Sequence, residues 1–381
     1  NMITKNVLKN IHRLNFKHIA FKYSTVSAVE KPTIESNNVQ IFQTIENSPL
    51  NHNRNHIGKF YEIPTDKFAL FQHGGIPRSY LEQIEIFAQK SIMIRSAAVE
   101  IIEYLNQIDF TKPVTRFCLY GPLGCGKSLS LVHLVHYGLE AGFLLVHVPY
   151  VSNWTRRPRE KATSNSDPSC FDLPIDGGIW LSHFKHQNLQ LLQSLSLKIG
   201  NEYVWNSREK SEKNSPLLDF VDFGINRVKY SCDVIIALME ELKQIATQGQ
   251  SKIMVVIDGY NSCFHPVTRI KDSNHNIIHP NRISLTKAFL NITKHDWCNG
   301  TVIVTVDEIS AYIFDNSTTS YFPKFLLGKT GFEHIEPFIP IEVKAYSYKE
   351  AKNLLDYYRD RKWIRTSPEY DDEIISLNGN N

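Results

Sequence analysis

The sequence predicts an α/β fold, a parallel sheet flanked by helices, and three stretches predict it. Residues 117–120 are a short apolar run, entered after Pro113, and they lead at once into a glycine-rich segment and a helical pattern over 129–139. Residues 253–257 are five consecutive apolar residues closed by Asp258, which is how a strand buried on both faces reads. Residues 301–306 form a third strand, with Asp307 and Glu308 at its exit. In open sheets of parallel strands, ligands bind outside the carboxyl ends, where the glycines and Asp258 fall.

The glycine-rich segment is Gly121, Pro122, Leu123, Gly124, Cys125, Gly126, Lys127 and Ser128, followed by Leu129. It meets the pattern G-x-x-x-x-G-K-[ST] at every fixed position. Glycines at 121, 124 and 126 permit backbone angles that let consecutive N–H groups turn inward and cradle a polyphosphate. Lys127 is placed to reach the β and γ phosphates, and Ser128 to ligate Mg²⁺. The helix behind the loop presents its N-terminal N–H groups to an anion. A nucleotide-binding loop is therefore expected here.

From the N-terminus, Lys5, Lys9, Arg13 and Lys17 recur every four residues along one stripe, with Ile3, Val7, Leu8, Ile11 and Leu14 on another. No acidic residue precedes Glu30. Residues 1–29 thus have the character of a mitochondrial transit peptide, the alternative being a surface or membrane-surface helix. Residues 30–55 are polar and aperiodic, a linker or arm. Residues 56–77 are aromatic-rich and broken by Gly58, Pro64, Gly74, Gly75 and Pro77, so short strands and turns are expected. Residues 80–108 read as helix with a break near 91–96.

A second strand follows at 143–148, then a basic cluster of Arg156, Arg157, Arg159 and Lys161 beside Trp154. Such a cluster holds RNA phosphates or an acidic partner, or is a solvated loop. A loop insertion is expected over 162–178, and helices over 179–199 and 221–247. These readings divide the chain into a transit peptide at 1–29, an N-terminal extension at 30–90, a P-loop nucleotide-binding domain at 91–345 and a C-terminal helical segment at 346–381.

Asp258, at the end of its strand, is a metal partner opposite Ser128 or else an acidic turn residue; the phosphate loop upstream favours the metal role. The next residue is Gly259, where mechanical ATPases usually carry a water-activating acid, so hydrolysis is expected to be slow or absent. Thr305 or Asp307 could sense the γ phosphate, although polar residues are common at strand ends. Thr293, Lys294, His295 and Asp296 fit a loosened guanine-recognition pattern, but they precede a strand instead of following one and read as a helix end.

Composition limits the alternatives. Lys plus Arg number 42 against 39 Asp plus Glu, and with the five basic residues of 1–29 set aside the body holds 37 against 39. A chain-wide nucleic-acid footprint is excluded, and RNA contact must be local. The six cysteines show no paired or metal-ligand spacing and read as reduced thiols. The fifteen histidines show no zinc pattern. No apolar run approaches 18 residues, so no membrane span is expected.

Several stretches resemble one family, the GTP-binding small-subunit protein of the mitochondrial ribosome, or death-associated protein 3. They are residues 56–64 (HIGKFYEIP), the phosphate loop with 129–131, 203–209 (YVWNSRE), 215–217 (SPL), 256–259 (VIDG), and 326–332 (LLGKTGF) leading to 337–340 (PFIP). The resemblance runs from about residue 56 to about 363. It implies an AAA+-like P-loop NTPase fold with an N-terminal extension and a C-terminal helical part, binding GTP or GDP with Mg²⁺. By position it assigns the nucleotide to residues 121–129 and the metal to Ser128 and Asp258. It further implies the mitochondrial matrix, small-subunit ribosomal proteins and rRNA as partners, intersubunit bridges to the large subunit, a part in mitochondrial translation, and a link to apoptosis. Family members usually carry a further helical tail, so the expectation is that either a C-terminal contact is missing or the sequence is cut short.

Overall fold

The computed structural model describes residues 42–266, 268–311 and 320–378. The transit-peptide stretch at 1–29 lies outside them.

Five strands form the central sheet: β3 (Thr115–Tyr120), β4 (Leu144–Val148), β5 (Ile253–Ile257), β6 (Gly300–Thr305) and β7 (Ile339–Glu342). All pair in parallel, in the order β7, β3, β6, β5, β4. Side chains alternate across the sheet, and both faces are apolar. Cys118, Val146, Val255 and Val304 enter one core, and Phe117, Leu119, Leu145, Val256 and Ile303 the other. This is the P-loop NTPase architecture, AAA+-like, with β6 inserted between the loop strand and the strand that ends at Asp258. In register, Thr305 pairs with Leu119 on one side and Val304 with Ile257 on the other. The exit of β6 therefore lies between the loop and Asp258.

Helices cover both faces. On one side lie α2 (Ser96–Leu105) and α3 (Lys127–Glu140), and on the other α4 (Pro174–Leu195), α5 (Leu217–Asn226), α6 (Ser231–Thr247) and α7 (Ser284–Ile292). The expected break in the helical stretch 80–108 contains a strand. Helix α1 (Arg78–Phe87) ends before β2 (Ser91–Met93), which pairs antiparallel with β1 (Phe60–Glu62).

Two expectations change. The helix expected at 179–199 begins at Pro174, because Gly177 and Gly178 belong to it instead of to a loop. A Cβ on Gly177 would stand 2.7 Å from Ser231 Oγ, so the glycine is there to let α4 approach α6 closely. The stretch 221–247 is likewise two helices, with Arg227 between them outside helical backbone geometry (φ −111°, ψ 68°).

Helix α8 (Pro323–Ile335) precedes β7, and the C-terminal segment follows that strand through α9 (Tyr348–Asp360) and α10 (Asp371–Asn378). Helix α9 opens with a capping box, in which the Ser347 hydroxyl accepts from the Glu350 N–H and Glu350 accepts from the Ser347 N–H. Tyr357 of α9 packs in one buried cluster with Phe60, Phe87 and Met93, which joins this helix to the β1/β2 pair and to α1. Among the described residues, no helix is long and apolar enough to cross a membrane.

A candidate nucleotide site

The loop after β3 carries the backbone that its glycines foretold. Gly121, Gly124 and Gly126 have φ of 149°, 83° and 96°. Gly121 also answers a packing demand, since a Cβ there would stand 2.3 Å from the Val343 carbonyl oxygen. Gly126 caps the N-terminus of α3, and Lys127, Ser128 and Leu129 form its first turn. Lys127 is buried, and its ammonium donates to the Gly121 and Pro122 carbonyls, at 2.8 Å each. Cys125 is buried, with its thiol pushed up by that burial, while Leu123 stands out into solvent.

Ser128 and Asp258 meet as the sequence implied. The Ser128 hydroxyl donates to Asp258 Oδ2 at 2.6 Å, across 130 positions of chain. The Thr305 hydroxyl donates to the other oxygen of Asp258 and accepts the Gly259 N–H at 2.9 Å. Burial raises the pKa of Asp258, an effect opposed by the hydroxyls of Ser128 and Thr305, reinforced by Asp307 and opposed by Lys127. A buried carboxylate with only hydroxyl partners suits a cation. Among the described residues, no group of three or more His, Cys, Asp or Glu is arranged to hold a metal ion. Ser128 and Asp258 supply two hard oxygen ligands, which fits Mg²⁺ shared with phosphates better than a cage of side chains.

Thr305 orients Asp258, where the sequence offered it as a phosphate sensor. Asp307 is held in place: both its oxygens accept from Ser310, from the N–H at 2.6 Å and the hydroxyl at 2.9 Å. Its backbone N–H and carbonyl pair with the Asn261 side chain. The position after Asp258 has no room for an acid. A Cβ on Gly259 would lie 2.8 Å from the Tyr150 ring and 2.9 Å from Ser310 Oγ.

Other expected features lie away from this point. Asp296 pairs with Lys243 at 2.8 Å and sits just beyond the end of α7, so the guanine-like pattern is a helix end with a structural ion pair. Arg157 and Arg159 line a cavity of about 320 Å³ with His73, Tyr150 and Asp176. Trp154 beside them is only 6% exposed and packs on Phe289, so its ring is not offered to a base.

The sequence reading missed Arg95. Its guanidinium donates to the Cys125 carbonyl in the loop at 2.9 Å and to the Lys344 carbonyl at 2.6 Å. One signal was present: Arg95 is the only charged residue in 91–98 (SIMIRSAA), a run that is otherwise largely apolar.

Known proteins resemble this chain over most of its length. The Bos taurus "Small ribosomal subunit protein mS29" is 33% identical over 334 residues, covering 87% of this chain and 83% of its own. The Mus musculus protein of the same name is 32% identical over 347 residues, covering 91% and 87%. A solved Walker-type ATPase of Pyrococcus abyssi aligns at a TM-score of 0.40 with 14% identity, covering 74% of this chain and 61% of the other. The family described as "Mitochondrial ribosomal death-associated protein 3" matches residues 92–381, which include the phosphate loop, Asp258 and the C-terminal helices. On that match and on the two mammalian relatives, the chain belongs to the family of mitochondrial ribosomal death-associated protein 3.

Proposed function

We propose that this chain is a structural component of the small subunit of the mitochondrial ribosome that holds GTP or GDP with Mg²⁺ and hydrolyses it little or not at all. The observation that carries the nucleotide reading is the 2.6 Å contact between Ser128 and Asp258 at the mouth of the glycine loop. Residues 121–129 would hold the phosphates through backbone N–H groups, with Lys127 as the mobile cation and Leu129 in the first turn of the helix. Ser128 and Asp258 would hold the metal, and the metal supplies charge neutralisation of the phosphates.

Slow turnover follows from the packing around Gly259. Tyr150 and Ser310 fill the space where a water-activating carboxylate would sit, and Asp307 is committed to Ser310. An active NTPase is the weaker reading for that reason. The ribosomal role is supported by the names of the two mammalian relatives. It brings with it small-subunit proteins and rRNA as partners, bridges to the large subunit, and the mitochondrial matrix, where mitochondrial translation takes place. The near balance of charge suits a protein set mainly among other proteins, with RNA contact confined to local patches.

The deciding experiment has two parts. Mitochondrial lysate is sedimented in Mg²⁺, following the chain together with small-subunit RNA, and the purified protein is assayed for retained GTP and released phosphate. Co-migration with the RNA, Mg²⁺-dependent retention, and turnover well below about 1 per second, the lower end of ordinary enzymes, support the proposal. A chain that stays free at low salt rules out the ribosomal role. Multiple turnover above that rate rules out the holding role.

A further inference from the structure

We infer that Arg95 is a positioning residue for the phosphate loop and that, through Glu350, it links nucleotide occupancy to the C-terminal helix α9; the second half rests on the nucleotide reading above. Arg95 leaves the chain between β2 and α2, with extended backbone (φ −97°, ψ 148°) at the first helix cap. Its side chain is 6% exposed and that of Glu350 is 8% exposed, and they form an ion pair at 3.1 Å. The guanidinium also lies over the Tyr346 ring, 4.4 Å from its centroid. One planar group thus contacts the loop at Cys125, the backbone at Lys344, the ring of Tyr346 and the first turn of α9 at Glu350. Only arginine has a rigid fork of donors that can serve two carbonyls at once while its charge faces a carboxylate.

The contact at Cys125 has a direct consequence for anion binding. In a trans peptide the carbonyl and the following N–H point in opposite directions. Fixing the Cys125 carbonyl on Arg95 therefore points the Gly126 N–H in the opposite direction within that peptide plane, away from the arginine. Gly126 is itself close to the guanidinium, since a Cβ there would stand 3.4 Å from Arg95 Nη1. Any movement of this peptide on binding a phosphate acts on Arg95, and Arg95 acts on Glu350. Glu350 has no slack to absorb it: its other oxygen accepts from the Ser347 N–H and hydroxyl at 2.8 and 2.9 Å. On the far side, its Cγ lies 3.2 Å from where a Cβ on Gly58 would be. Asn353, one turn further along α9, donates to the Gly58 carbonyl at 2.8 Å. The family-like segment 56–64 is thereby part of the same connection.

The test compares the full chain with Arg95→Ala, Arg95→Lys and Glu350→Gln, with GTP and Mg²⁺ as the probe. Affinity is measured by calorimetric titration and amide hydrogen exchange is followed over residues 124–128 and 347–360. Glu350→Gln keeps the helix cap, because glutamine serves at that cap position, and removes only the charge. In the parent, GTP slows exchange over 347–360. In Arg95→Ala the affinity falls by about tenfold, a typical coupling between sites, and the response over 347–360 disappears. Arg95→Lys does not restore either, because an ammonium cannot hold both carbonyls on a rigid fork and still face Glu350. Glu350→Gln loses the response over 347–360 with a smaller loss of affinity. Without nucleotide, Arg95→Ala and Arg95→Lys speed exchange at 124–128, whereas Glu350→Gln does not. A residue that merely stabilised the fold would lower melting in the variants and leave the response of 347–360 in place, which overturns the inference. Unchanged exchange at 124–128 in Arg95→Ala overturns the positioning role. A parent that binds no GTP, yet whose loop amides respond to Arg95→Ala, overturns the nucleotide reading and supports the positioning of the loop.

Discussion

Glycines 121, 124 and 259 all hold positive φ, but their surroundings predict different costs of substitution. At Gly124 a Cβ meets nothing within 4 Å, so Gly124→Ala should cost only the backbone strain, about 1 kcal/mol. At Gly121 the added carbon meets the Val343 carbonyl at 2.3 Å, and that carbonyl is backbone that cannot swing aside. Gly121→Ala should therefore cost about 3 kcal/mol, the upper end for a strained site. Urea unfolding of the two variants checks the ordering, and equal costs would mean that the approach of Val343 is not tight in solution. Gly259→Glu places the acid of a mechanical ATPase at its usual position. Here the Tyr150 ring and Ser310 occupy the space, so this variant should lose stability and gain no turnover. Phosphate release above the parental rate in Gly259→Glu would show that the packing is not what limits hydrolysis.

Two histidine clusters join neighbouring elements, and they make the acid behaviour of the fold predictable. His52 contacts His133 of α3 at 2.8 Å, and Tyr61 of β1 contacts His136 at 3.3 Å. Across the sheet, His147 of β4 meets His183 of α4 at 3.0 Å. Burial lowers the pKa of all five histidines, His136 to about 4 and His147 to about 3. The unfolded chain then binds more protons than the folded one between those values and the ordinary histidine value of about 6.5. Stability is fully present above that value and falls as pH drops through the window below it. Urea midpoints at pH 7 and pH 5 should differ, and His136→Gln with His147→Gln should flatten the difference; a flat parental profile would sink the account.

The elements differ in how far the sequence reveals them, for reasons visible in the same residues. The runs 117–120, 253–257 and 301–306 are apolar on both faces, so their strands could be read without knowing any partner. The phosphate loop was legible because its constraint is local, glycine backbone next to a helix start. Arg95 and Glu350 were not, since they lie 255 positions apart and their meeting depends on the strand order. Gly177 looks like a loop glycine in sequence, and only the approach of α6 at Ser231 gives the reason for it. Position at a strand end leaves Thr305 and Asp307 as equal candidates for sensing a phosphate, and that Thr305 bonds Asp258 depends on the strand order.

At the scale of the whole molecule, the loop, Asp258 and Thr305 all sit on the sheet that separates the two large cores. A ligand at that edge touches structure belonging to both sides, so binding should stabilise the chain as a unit. Linkage sets the size of the effect: with free GTP and Mg²⁺ at a hundred times the dissociation constant, unfolding should cost about 2.7 kcal/mol more. Scanning calorimetry should show the main transition moving upward by a few degrees and continuing to rise with ligand concentration, since a larger chain shifts less per kcal/mol. Removing Mg²⁺ with a chelator should take away most of that shift, because Ser128 and Asp258 then hold no cation between them and the phosphates. Lys127→Ala should melt close to the unliganded parent and ignore GTP, since its ammonium is the loop's own cation, bonded to the Gly121 and Pro122 carbonyls. If GTP instead raised a separate, smaller transition and left the main one in place, the site would be energetically detached from the two cores. The sheet would then be a support for the loop and not the path by which the nucleotide stabilises the fold.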